Sequence, residues 1–265
     1  PGAGGGWSEP LALTPDDGGE VGSSHLADGS EGIAVVWIGR ELDPGVPFRP
    51  SARWRTNGDW GEVRTLDETG QEAWHTNVER RTDGSVLAGW DLGQGGMENR
   101  VLVRRGSAGG WGPLVDLSEG RWWGERPHFA FAEDGTDHVT WFHRTMDQPL
   151  RVYTRPMTHT PSGAQLGPVT TLSQGLGGYQ YDPDIAVNGN GVLCATWGWD
   201  GGSDADLVFS RNQGAGWTSP TRVAAGGQDK PGLPSLVAAP DGTFHVVWVQ
   251  WRRGVSSVWW ASLQP

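Results

Sequence analysis

Short apolar runs, each closed by a tryptophan, recur along the chain. They read "GIAVVW", "SVLAGW", "DHVTW", "VLCATW" and "FHVVW" and end at Trp37, Trp90, Trp141, Trp197 and Trp248. Polar residues and glycines separate them. No window carries apolar residues at i, i+3, i+4 and i+7, so the pattern predicts strands and no amphipathic helix. No apolar stretch is long enough to cross a membrane as a helix.

A second tryptophan series precedes the first. Trp7, Trp60, Trp111 and Trp217 open "GGWSEPLAL", "GDWGEVRTL", "GGWGPLVDL" and "AGWTSPTRV", and Leu166 takes that place in "AQLGPVTTL". Four of the apolar runs follow Asp83-Gly84, Asp134-Gly135, Asn190-Gly191 or Asp241-Gly242, pairs suited to two-residue hairpin turns. Between units lie further strand-like segments, "SARWR", "RVLVR", "RVYTR", "LVFSR" and "SVWWA". Each unit of roughly fifty residues therefore supplies four short strands, and radial repetition of such units is a β-propeller. The expected fold is all-β, a single five-bladed propeller of four-stranded antiparallel blades over residues 1–265. The chain opens on an outer strand, residues 7–13, and closes on a third strand, residues 257–263. Pairing of these two would close the ring and bring Pro1 near Pro265.

The segment "SRNQGAGW" resembles the Asp-box of sialidase-like propellers, Ser-x-Asp-x-Gly-x-x-Trp. Ser210, Gly214 and Trp217 match, and Asn212 stands at the aspartate position. The unit bodies "PDIAVNGNGVLCATW" and "PSLVAAPDGTFHVVW" look like repeats of bacterial sialidase-like and lectin propellers. The resemblance implies that the box is a turn between third and fourth strands, away from the ligand face. It also implies a secreted or extracellular role in adhesion or targeting. The domain would then be excised from, or part of, a larger secreted protein such as a toxin or adhesin, with "PGAGGG" as a tether or a trimmed terminus.

Loop lengths separate the two faces of such a ring. One face carries brief, repeated turns. The other carries loops that differ between units, among them "SEGRWWGERPH", "SQGLGGYQYDPD" and "GWDGGSDAD", and variable loops on a repeated scaffold are where binding resides. Nine tryptophans occupy repeat positions, and Trp54, Trp259 and Trp260 fall in third strands, so packing accounts for them. The rings left over are Trp74, Trp122, Trp123, Tyr179, Tyr181, Trp199 and Trp251, all assigned to the loop face. Flat rings beside hydrogen-bonding groups suit the C–H face and hydroxyls of a sugar. Arg126, His143, Asp182 and Asp200 are the polar partners expected with them.

Composition narrows the partners. A formal net charge of −11, with Lys230 the only lysine, argues against nucleic acid and anionic membranes. The single cysteine, Cys194, sits in an apolar run and reads as a buried hydrophobe. The expected partner is a glycan or glycoconjugate, bound by a lectin-type domain rather than turned over by an enzyme. A protein partner on the same face is one alternative. The other is glycoside hydrolysis or lyase chemistry in the central channel, for which Glu72, Glu125, Asp182 and Asp184 are the carboxylates near inner-strand starts.

Resemblance to true sialidases implies a six-bladed ring with three substrate-clamping arginines and a tyrosine–glutamate pair. Arg55, Arg104, Arg155 and Arg211 instead recur at one third-strand position, as scaffold residues do. Five-bladed glycosidases resemble the chain more closely in blade number but use three carboxylates, of which Asp182 alone has a counterpart. Residues 200–206, "DGGSDAD", offer carboxylates to calcium without a regular spacing, and no cofactor is expected. Among the histidines, His75 and His143 fall on the loop face, while His25 and His128 fall in first strands.

Overall fold

The computed structural model describes residues 9–14, 19–40, 45–93, 99–118, 124–143, 149–160, 162–225, 229–252 and 254–264. Among them there is no helix. Five antiparallel sheets follow one another along the chain. The first contains β1 (Glu20–Gly29), β2 (Gly32–Arg40), β3 (Arg49–Thr56), β4 (Asp59–Trp60) and β5 (Arg64–Thr65). The second contains β6 (Glu72–Arg80), β7 (Val86–Gly93), β8 (Arg100–Ser107), β9 (Gly110–Trp111) and β10 (Val115–Asp116). The third contains β11 (Gly124–Phe131), β12 (Asp137–His143), β13 (Arg151–Thr160), β14 (Gly163–Leu166) and β15 (Thr170–Thr171). The fourth has β16 (Tyr179–Val187), β17 (Leu193–Asp200), β18 (Ala205–Asn212) and β19 (Thr221–Ala225), and the fifth β20 (Lys230–Ala238), β21 (Phe244–Arg252) and β22 (Val255–Leu263). In the first three sheets the outer strand is split, its tryptophan- or leucine-bearing turn and its strand each pairing separately with the third strand.

The second-strand tryptophans Trp37, Trp90, Trp141, Trp197 and Trp248 are all buried. Apolar residues join sheet to sheet in four successive layers, first to second, second to third, third to fourth and fourth to fifth. Full burial of a large apolar side chain contributes on the order of 1.5–3 kcal/mol, so these layers hold the sheets face to face. Cys194 lies inside the layer system, and burial pushes its thiol up to about 12.

Four details correct the sequence reading. The Asp-Gly and Asn-Gly turns are not two-residue hairpins: Arg81, Ala132, Asn188 and Ala239 each close a longer loop in which the glycine alone takes positive φ. The side chains of Asp83, Asp134 and Asp241 accept from the amide after that glycine, which stabilises this turn without a left-handed aspartate. The strand register aligns Arg53, Arg104 and Arg155 at one ladder position, not Arg55 and Arg211. Trp259 and Trp260 are exposed rather than packed.

The last detail concerns ring closure. Residues 9–13 form no strand, and among the described residues nothing pairs with the outer edge of β22. Pro1, Pro265 and Trp7 lie outside the described residues.

Candidate functional site

The innermost strand of every sheet is interrupted opposite its sheet's buried tryptophan. The breaks fall between Gly22 and Ser24, Ala73 and Thr76, Glu125 and His128, Tyr181 and Asp184, and Gly232 and Ser235. At four of them a non-glycine residue takes a left-handed backbone: Ser23 (φ 40°), Arg126 (φ 54°), Asp182 (φ 48°) and Leu233 (φ 50°). Such a conformation costs on the order of 1–3 kcal/mol and persists only where the surroundings enforce it. Proline follows in three cases, at Pro127, Pro183 and Pro234. The repeated bulge turns one side chain per sheet toward a common centre.

That centre is a cavity of about 290 Å³ whose walls include Ser23, His25, His75, Arg126, His128, Asp182 and Leu233, drawn from all five inner strands. A belt of hydrogen bonds links neighbouring sheets around it. Thr76 donates its amide to Ser23 Oγ at 3.0 Å. Fully buried Asp91 accepts from the His75 amide at 3.3 Å and from the Arg126 amide at 3.2 Å, and His75 Nδ1 lies 3.1 Å from it. Arg126 Nη1 donates to Asp182 Oδ1 at 2.5 Å, and Asp182 Oδ2 accepts from the Leu233 amide at 3.4 Å.

One step along the strands the register aligns His25, Asn77, His128, Asp184 and Ser235. His128 Nδ1 is 3.2 Å from Asp184 Oδ1, and Asp184 Oδ2 accepts from the Leu236 amide at 2.7 Å. Burial works against a charge on His128, yet Asp184, Glu79 and Asp182 outweigh it and raise its pKa. Burial, followed by repulsion from Asp184, lifts Glu79 to about 7. Burial and the neighbouring His128 lower His25. Titratable groups pushed apart in one cleft are the physical requirement for acid and base roles.

The structure brings some of the sequence-derived residues together and separates others. Arg126 and Asp182 meet at the cavity. Trp251 lies over Gly232, on the side of Asp182: a Cβ at Gly232 would stand 2.8 Å from the Trp251 ring and 3.5 Å from Asp182 Oδ2. Tyr181 donates its hydroxyl to the Pro231 carbonyl at 2.8 Å, and its ring covers Gly198, so it braces the rim. Tyr179, Trp199 and Asp200 form a separate edge of the fourth sheet. Tyr179 is exposed there, whereas Trp199 is committed to the Gly177 carbonyl and carries the Arg222 guanidinium over its ring at 4.8 Å.

Asp200 is held low chiefly by Lys230 at 2.6 Å. With Asp204 and Asp206 facing Arg222, the "DGGSDAD" carboxylates are engaged by cations of the chain itself. Trp74 is exposed beside Phe48, with ring centroids 6.4 Å apart. His143 is buried and edge-on to Tyr153, away from the central cavity. Trp122 and Trp123 lie outside the described residues.

Sequence reasoning missed Glu79 and Asp91 and set His128 aside as scaffold. The available signal was the aligned proline in "ERPHF", "YDPDI" and "GLPSL", which places His128, Asp184 and Ser235 at one repeat position. The Asp-box segment behaves as a turn. Asn212 Oδ1 accepts from the amides of Gly214 at 2.8 Å and Gly216 at 3.2 Å, and Ser210 Oγ donates to the Thr218 carbonyl at 2.7 Å.

No protein-family model and no curated protein sequence matches the chain. Solved structures do. An α-L-arabinanase from Penicillium chrysogenum, complexed with arabinobiose, matches with a TM-score of 0.63 and 12% identity over 92% of this chain and 81% of that one. A sialidase from Trypanosoma rangeli, complexed with the inhibitor DANA, matches with a TM-score of 0.59 and 10% identity over 91% of this chain and 44% of that one. A thermostable family-43 glycoside hydrolase matches with a TM-score of 0.52 and 11% identity over 96% of both chains.

The fold is a β-propeller. At these identities the likeness is one of fold alone.

Proposed function

We propose that this propeller binds a carbohydrate at the mouth of its central channel and hydrolyses a glycosidic bond there. The observation that carries the proposal is that Asp182, fixed by Arg126, and His128, held by Asp184, line one cavity. Glycoside cleavage needs a proton donor for the leaving oxygen and a group that stabilises or attacks the anomeric carbon, or activates water. Asp182 takes the second role. His128 takes the first, its Nδ1 held by Asp184 and its charged form favoured by Asp184, Glu79 and Asp182. Arg126 and the Leu233 amide orient Asp182, and Trp251 supplies an apolar wall for the sugar ring.

The fold supports the same substrate class, since the arabinanase, the sialidase and the family-43 enzyme are built on it. The sequence alone favours binding without turnover, because Glu79 and Asp91 are invisible as site residues until the strands are in register. An extracellular location, where polysaccharides are met, belongs to this proposal.

The test is product release from a panel of aryl glycosides and soluble polysaccharides by wild type, Asp182→Asn and His128→Gln. Wild type is expected to turn over at least one member, and both variants to lose on the order of 100-fold or more while still binding it. A second reading rests on the exposed rings of Trp74, Tyr179 and Trp251: saturable glycan binding with no turnover across the panel would establish a lectin and overturn hydrolysis.

A further inference from the structure

Beside the buried tryptophan, three ladder positions recur from sheet to sheet. The first is the third-strand residue opposite the tryptophan, and the second is its partner on the outer strand. The third lies two residues earlier on the third strand. They are Leu102, Asp116 and Arg100 in the second sheet, and Val208, Arg222 and Asp206 in the fourth. In both sheets the second and third positions carry opposite charges that meet. Arg100 Nη1 is 3.5 Å from Asp116 Oδ2, and Arg222 Nε is 3.4 Å from Asp206 Oδ2. The signs are exchanged between the two sheets, and the pair is kept.

The third sheet breaks this pattern. Its three residues are Tyr153, Thr171 and Arg151, so a hydroxyl stands where the second sheet has a carboxylate. A cavity of about 370 Å³ opens there, bordered by Arg151, Tyr153, Thr171, His143 and Gln174. That volume lies near the lower end of small-molecule sites, about 300–1,000 Å³. The first sheet repeats the substitution with Ser51, Thr65 and Arg49, and these three also line a cavity, of about 410 Å³. Loss of the acid and presence of a cavity coincide in both sheets.

Arg151 shows what belongs in the cavity of the third sheet. Its Nη1 donates to the Gly178 carbonyl at 3.1 Å, which fixes the guanidinium against the turn just before β16. Among the described residues nothing accepts from its Nε or Nη2, and no carboxylate borders the cavity. The Nε–Nη2 edge of a guanidinium is the fork that takes a carboxylate through two parallel hydrogen bonds. Around it stand the Thr171 hydroxyl, the Gln174 amide and the Tyr153 ring, with the His143 ring edge-on to Tyr153 at 5.4 Å. An aromatic ring beside hydroxyl and amide groups suits the C–H face and hydroxyls of a sugar.

We propose that this cavity is a second carbohydrate site, apart from the channel, which takes a uronic acid with its carboxylate on Arg151. The ligand supplies the acid that Asp116 supplies in the second sheet. The formal net charge of −11 disfavours polyanions that need several cations. One carboxylate on one fixed arginine needs no such surface. The site binds and performs no chemistry, and it stands whether or not the channel mouth cleaves its sugar.

Titration of the full chain with glucuronate and galacturonate, and with glucose and galactose as neutral counterparts, tests this. The readout is NMR of the Arg151 Nε–H and His143 ring signals. At least one uronate should shift both saturably and bind at least about tenfold more tightly than its neutral counterpart, as a charge-assisted contact allows. The Arg100 Nε–H signal should stay still, because that guanidinium is already engaged by Asp116 and Gln71. Thr171→Asp places an acid where the second sheet has Asp116, and it should abolish uronate binding while Tm holds or rises. Any turnover of neutral glycosides at the mouth should be unchanged in that variant. Arg151→Gln should also abolish uronate binding, and if it fails to fold, Thr171→Asp carries the test. Neutral sugars bound as tightly as uronates, an Arg151 signal that no uronate moves, or uronate binding that survives Thr171→Asp would overturn the proposal.

Discussion

Arg126 and Asp182 face each other across the interface of the third and fourth sheets, Nη1 to Oδ1 at 2.5 Å, and both stand on left-handed backbone. Two strained residues locked together by a charge-assisted hydrogen bond form a fixed feature of the channel mouth. Replacing Arg126 by Leu should cost about 1–3 kcal/mol of stability by leaving Asp182 without its cation. It should also abolish glycan binding at the mouth. Urea unfolding and calorimetric titration of the same variant check the two effects separately.

Glu79 gives a pH signature. Its folded pKa of about 7 lies above the ordinary glutamate value. The carboxyl therefore opposes folding as pH rises: the penalty begins near the unfolded value of about 4.3 and is complete once pH passes the folded value of about 7. His128 acts in the same direction, its raised pKa giving stability that is present below the unfolded value near 6.5 and lost above the folded one. His25, lowered by burial, acts oppositely in acid. Glu79→Gln isolates the first effect: relative to wild type it should gain up to about 3 kcal/mol between pH 4.5 and 7.5. Thermal melts across that range are the measurement.

The Asp-box segment supplies a control. Asn212→Ala removes the acceptor of the Gly214 and Gly216 amides, which should cost about 1–2 kcal/mol. Glycan binding and turnover should be unchanged, because the turn is remote from the belt. A melt and an activity assay on one preparation decide it.

A buried ion pair outside the site should behave as pure scaffold. Arg81 donates through Nε and Nη2 to Asp137, both buried, and His159 Nε2 lies 2.9 Å from the same carboxylate. Asp137→Ala removes the acceptor of Arg81 Nε and Nη2 and leaves Asp83 as the remaining anion on the guanidinium, which should destabilise by about 1–3 kcal/mol. The residual folded fraction should keep wild-type affinity, which a denaturation curve with and without glycan would show.

Much of the fold is legible in the sequence because its cause is local. An apolar run that ends on tryptophan, a glycine at the turn and a partner segment at fixed spacing specify each sheet without reference to the others. Asn212 was readable as a turn residue for the same reason. What failed was long-range. Trp260 occupies a position that is buried in the first three sheets, at Ala52, Val103 and Thr154, and only the register shows that nothing described covers it. Glu79 and His128 look like ordinary strand residues, because the roles proposed for them depend on inner strands meeting at one channel. The bulges that aim Arg126 and Asp182 inward are one-residue register shifts, invisible to period-two patterning except through the proline that follows.

Sugar entry at the channel mouth should be visible in NMR of the seven histidine ring signals during titration with a glycan that the chain binds or cleaves. His25, His75 and His128 should shift and saturate together, His138, His159 and His245 should stay still, and Asp182→Asn should alter the pattern. Saturable binding that leaves His25, His75 and His128 unmoved would place the sugar elsewhere and overturn a site at the channel mouth.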